Sequence, residues 1–217
     1  MADRTFASMS PTIAPHAPGC PNPTIEQHIR RIAREVCEKT LTWRYEQPLV
    51  RLTKGIHLYE YDVPKDTEVV SVFHATINYL PISAATLDVI RKQYPAWPTT
   101  DVTYHSRPML VGQLDVDHFA VAPTPDDTET YDARMVLAIK PTLEATGMDQ
   151  TVLDDCEGLI LHGVLQHLLL LPNKSWTDTQ LASYHAKQYV YKTALKRATA
   201  NIGAANGSLT VEMHPLA

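Results

Sequence analysis

The stretch "GLILHGVLQHLLLLPNKSW", Gly158–Trp176, packs two histidines, a glycine and a run of leucines ahead of a proline. It can be read as a metal site, a membrane segment or the wall of a core, and the choice decides the fold. A membrane span needs about 20 apolar residues. Leu159–Leu171 is thirteen long and holds His162, Gln166 and His167, which argues against a span. Zinc needs ligands that converge. His162 and His167 are five residues apart, a rotation of about 140° on an ideal helix, and no glutamate flanks them at a metal-binding offset. The core-wall reading fits better. Cys156, Ile160, Gly163, Val164, His167 and Leu171 form one stripe, and His162 faces another side. Gly163 would let a partner helix come close, and Pro172 stops the run.

Downstream, "SWTDTQLASYHAKQYVYKTALKRATANIG" reads as a second helix after a short loop at Pro172–Ser175, so an antiparallel hairpin is expected. Thr177 and Gln180 have capping-box spacing. Leu181, Tyr184, Gln188, Tyr191, Leu195, Ala198 and Ile202 are spaced 3, 4, 3, 4, 3, 4, a heptad seam with a polar Gln188 in its middle. Gly203 ends the helix. Residues 204–217 then read as a flexible docking tail, whose strand-like "LTVEM" would not bury itself alone.

Upstream, "NPTIEQHIRRIAREVCEKT" carries Asn22 as a cap and Pro23 at the first helical position. Ile25, Ile29, Ile32, Val36 and Cys37 make one apolar stripe on a helix spanning 23–41. Residues 1–22, dotted with Pro11, Pro15, Pro18 and Pro21, are expected to form an extended amino-terminal arm. Between, 45–141 alternates at strand period, with turn signals at Lys54-Gly55 and Pro64–Thr67 and a short helical insert at "SAATLDVIRKQYP". The expected fold class is α+β. A helical bundle, from 23–41 and 151–203, would carry an inserted antiparallel β unit.

The whole chain sets the limits. Its 217 residues can bury a real core without metals or disulfides. Net charge is -5 with no basic block, which gives no footprint for gripping nucleic acid through its phosphates. Cys20, Cys37 and Cys156 are odd in number and far apart, the pattern of reduced thiols made in a cytoplasm. The first twenty residues lack the apolar core of a signal peptide. No P-loop, G-x-S-x-G elbow or G-x-G-x-x-G occurs. The adjacent acids Asp126-Asp127 and Asp154-Asp155 suit a turn and a helix start respectively. No catalytic, cofactor-binding or metal-ligating residue is assigned, and the chain is not read as an enzyme. What stands out is apparatus for contacts. The candidate interface residues are Trp176 beside the helix turn, Tyr184 and Tyr191 on the seam, and Leu209, Val211 and Met213 in the tail.

The segments "PGCPNPTIEQHIRRIAREVCEKTLTWR", "LAIKPT" and "GLILHGVLQHLLLLPNKSWTDTQLASYHAKQYVYKTALKRA" follow one another in this order. The pattern, over about 20–200, resembles the head–tail adaptor (connector) proteins of short-tailed bacteriophages, of the tail tubular protein A type. The resemblance implies a structural virion protein assembled in the host cytoplasm and placed at the head–tail junction. Twelve copies would form a ring, a homododecamer, that joins the portal protein to the tail nozzle or tail tube protein. Genomic DNA would pass through its channel without specific binding. Ring contacts would come from the helices, tail contacts from the β unit and portal docking from 204–217. No cofactor and no membrane are implied. The neighbouring readings are another phage neck or tail-completion protein and a hydrolase using His and Asp groups.

Overall fold

The computed structural model describes residues 3–98 and 101–204. Its first segment departs from the extended arm that the prolines suggest. Asp3–Thr5 (β1) pairs antiparallel with Gly147–Asp149 (β10). A 3-10 turn at Phe6–Met9, one α-helical turn at Ser10–Ile13 (α1) and a second 3-10 turn at Ala14–His16 follow. Phe6, Met9, Ile13 and Ala17 are buried in the main core. Pro11 and Pro15 do not prevent this, because each sits at the start of its turn, where a missing N–H breaks no hydrogen bond. The prolines divide the segment into short turns, and the apolar residues between them fix it to the core.

Helix α2, Asn22–Thr40, buries its whole predicted stripe: Ile25, Ile29, Ile32, Val36 and Cys37. It ends on Leu41, whose left-handed backbone (φ 54°) lets its N–H donate to the Cys37 carbonyl at 3.0 Å. The strands follow: β2 Arg44–Glu46, β3 Val50–Leu52, β4 Leu58–Glu60, β5 Thr67–Ile77, β6 Leu80–Ala84, β7 Leu110–Gln113, β8 His118–Ala122 and β9 Tyr131–Pro141. They form one eight-stranded sheet in the order β2-β9-β5-β6-β7-β8-β4, with β3 also on β9. The long pair β5/β9 runs from Thr67↔Pro141 to Ile77↔Ala133 with two register shifts, and such bulges bend and twist a sheet into a curl. Along β9, Tyr131, Ala133, Met135, Leu137 and Ile139 point inward at period two and are buried.

Two local readings are corrected. The sheet is not purely antiparallel, since β6 and β7 pair parallel. That crossover is made by the segment carrying helix α3, Leu87–Gln93, which Thr86 caps by accepting from the Val89 N–H. The turn at Lys54-Gly55 does not join a hairpin, because β3 pairs with β9 and β4 with β8.

Helix α4 spans Gln150–Leu168 and helix α5 spans Thr179–Ala204. The expected class, a helical bundle with an inserted β unit, is overturned. Among the described residues, ten strands in two sheets and five helices make a mixed α/β fold organised by sheet, with the larger sheet a curled half-barrel. The main core explains why. It runs from Phe6 through Ile32 and Leu165 to Met135, Phe119 and Val111, so helices and sheet share it, and a smaller cluster of Ile90, Leu110 and Ala122 sits under α3. Helix α2 packs on α4 and α5 with part of its surface and on β9 with another.

Candidate functional site

The hairpin α4–α5 is assembled by size matching. A Cβ on Gly163 would come within 2.5 Å of Ile32 Cγ2 and 2.9 Å of Tyr189 Cε2, so only glycine admits α2 and α5 together at that point. Helix α5 answers with Ala182, His185 and Tyr189, all buried. The Tyr189 hydroxyl donates to Glu35 of α2 at 3.1 Å. At the start of α5 the Asp178 carboxylate accepts from the Leu181 N–H at 2.9 Å, so Asp178 performs the capping read for Thr177. Thr177 instead donates to the Leu171 carbonyl and accepts from the Lys174 N–H, bracing the turn.

This inward face excludes the heptad seam, which therefore points away from the protein. Tyr184 is 52% exposed, Tyr191 66%, Leu195 56% and Val190, beside the stripe, 67%. Leu181 and Ala198 are exposed as well. The expected seam is real as a pattern but is not the seam of the hairpin. Around it, charge has one sign. Residues 179–204 contain Lys187, Lys192, Lys196 and Arg197 and no acid. Lys196 pairs with Asp155 of α4. Lys187, Lys192 and Arg197 form no salt bridge among the described residues. One flank of the stripe borders a groove of about 600 Å³ between α2, α4 and α5, whose rim carries Arg31, Lys39 and Arg197. Its one acid, Glu35, is already engaged by Lys39 and Tyr189.

The histidines of α4 meet partners on both neighbouring helices. His162 Nδ1 lies 2.8 Å from His185 Nδ1, with His16 edge-on to His185 at 6.5 Å between ring centres. His167 stacks on His28 of α2 at 6.3 Å. A contact of 2.8 Å between two ring nitrogens requires one to donate and the other, neutral, to accept. Burial, then Lys192 and the histidines His185 and His16, push His162 down to about 4. Burial and then His16 lower His185. Burial lowers His28, helped by His167 and Arg31, and burial lowers His167, helped by Arg31 and Lys39 and opposed by Glu35. These pairings join residues 23 and 139 positions apart and have no local signature.

Several other titratable groups have structural partners. Asp126 accepts from the Tyr131 hydroxyl at 2.6 Å, and Asp127 pairs with Lys54 at 2.6 Å. Asp154 holds Arg4 of β1. Cys37 and Cys156 are buried, and burial raises both thiols. Among the described residues, no group of three or more His, Cys, Asp or Glu is placed to hold a metal ion, and no helix is long and apolar enough to cross a membrane.

Of the candidate interface residues, Tyr184 and Tyr191 share the exposed stripe. Trp176 does not join them. It is half-buried against the main core, with a ring carbon 4.0 Å from where a Gly19 Cβ would stand and its buried Nε1 without a partner. Leu209, Val211 and Met213 lie outside the described residues. The single sign of the charge on α5 is visible in the letters, while the exposure of its outer face is not. No protein-family model and no curated protein matches the chain.

Proposed function

We propose that the chain is a structural virion protein, the head-to-tail adaptor of a short-tailed bacteriophage, and that twelve copies form a ring between the portal protein and the tail nozzle. The observation that supports this reading is the outward stripe of α5. A helix fixed from its inner side by Gly163 contacts and Asp178 capping leaves a second apolar face standing in water. Large exposed apolar patches are a feature of surfaces that other macromolecules cover. A ring also needs heterologous contacts that close by rotation, which suits a subunit whose faces differ in chemistry. The tail at 204–217 supplies the portal attachment in this reading.

Electron microscopy of assembled particles tests it. The expected image is a twelvefold ring of this protein directly below the portal, with the DNA channel running through it. A particle that lacks the protein at that level, or holds it in another copy number, overturns the reading.

A further inference from the structure

The heptad spacing of the exposed stripe names the shape of its occupant, and the charges name its sign. Leu181, Gln188 and Leu195 occupy one core position of the repeat, and Tyr184, Tyr191 and Ala198 the other. A stripe with this spacing fits the knobs of another helix, and a polar Gln188 in its middle fixes register. Among the described residues no other helix of the chain exposes such a stripe. The α2 stripe is buried, and α4 buries Leu153, Cys156, Ile160 and Val164.

A second copy of α5 is disfavoured by charge. Beside the stripe, Lys187 and Lys192 take the two flanking positions of the repeat. In a parallel pair, Lys187 of one helix meets Lys192 of the other. In an antiparallel pair centred on Gln188, Lys187 meets Lys187. Both arrangements set like charges together, and the groove alongside adds Arg31 and Arg197.

From this stripe and its basic flanks we infer that α5 docks an amphipathic helix of a different protein, one with a heptad apolar stripe and acidic flanking residues. The inference rests on the proposed function only in taking α5 as an assembly face. It then assigns that face to a non-identical neighbour in the assembly, not to the next copy in the ring.

The test uses the full chain and two synthetic helical peptides of about 21 residues, three heptads each. Both carry the same leucines and isoleucines in the core positions. One has glutamate at every flanking position and the other lysine. Calorimetry at about 0.05 M salt is expected to show the glutamate peptide binding roughly fivefold to tenfold more tightly, with the gap closing at about 0.5 M as screening grows. The double variant Lys187→Glu/Lys192→Glu, shown folded by circular dichroism, is expected to reverse the preference. Leu195→Asp is expected to abolish binding of both peptides. Equal binding of the two peptides, binding of neither, or self-association of the chain that Leu195→Asp removes would each overturn the inference. A twelvefold ring with no charge preference at α5 overturns this inference alone. A clear preference in a protein that never joins a particle overturns the adaptor reading alone.

Discussion

Helices α2 and α5 both carry a regular apolar stripe, yet their stripes end in opposite environments. In α2 the residues Ile25, Ile29, Ile32, Val36 and Cys37 are all at 1% exposure or less. In α5 the residues Tyr184, Tyr191 and Leu195 are each more than half exposed, and the helix is held by its other face. Periodicity tells which residues share a side. It does not tell whether the surface that covers them belongs to the same chain. Among the described residues nothing covers the α5 stripe.

The comparison fails if the two stripes cost the same to damage. Ile32→Ala, in the buried stripe and against Gly163, is expected to destabilise the protein by about 2–5 kcal/mol in a urea titration. Gly163→Val should cost about 1–3 kcal/mol by overpacking against Ile32 and Tyr189, read in the same titration as a lower midpoint.

A pH series sharpens the comparison on the inner side of α5. His162, His185, His28 and His167 all hold their protons less readily than a free histidine. The unfolded chain takes up protons near pH 6.5, while folded His162 does so at about 4. The unfolded state therefore binds more protons in that window, and stability rises with pH there. Stability should be full above about pH 6.5 and fall as pH drops toward 4, measured as the thermal midpoint. His162→Asn should make that fall shallower. A midpoint unchanged between pH 7 and pH 5 would show that the histidine pairs do not control the hairpin.

The smallest effect is expected on the outer face. Tyr191→Ser should change stability by no more than about 0.5 kcal/mol, because the side chain gives up little contact within its own chain.

Local pattern carried part of this fold. The α2 stripe, the Leu87–Gln93 helix and the Gly163 contact were legible because each depends on neighbours in sequence or on a single residue's size. The sheet order was not. Lys54-Gly55 reads as a hairpin turn, but which strands β3 and β4 pair with depends on β8 and β9, far along the chain. The amino-terminal segment was misread because the weight given to Pro11 and Pro15 as helix breakers overlooked Phe6, Met9 and Ile13 between them. At the candidate site, Tyr184 and Tyr191 were found by spacing. The direction of their stripe was not, since Ala182, His185 and Tyr189 offered a second face of smaller and more polar residues that fits α4.

The central claim is that the outer stripe of α5 serves assembly and contributes little to the folding of its own chain. Leu195→Asp tests it most directly, with unfolding midpoint and incorporation into particles measured on the same preparation. The account predicts a midpoint close to that of the parent protein and particles that fail to join head to tail. Normal joining of head and tail with Leu195→Asp in place would contradict it.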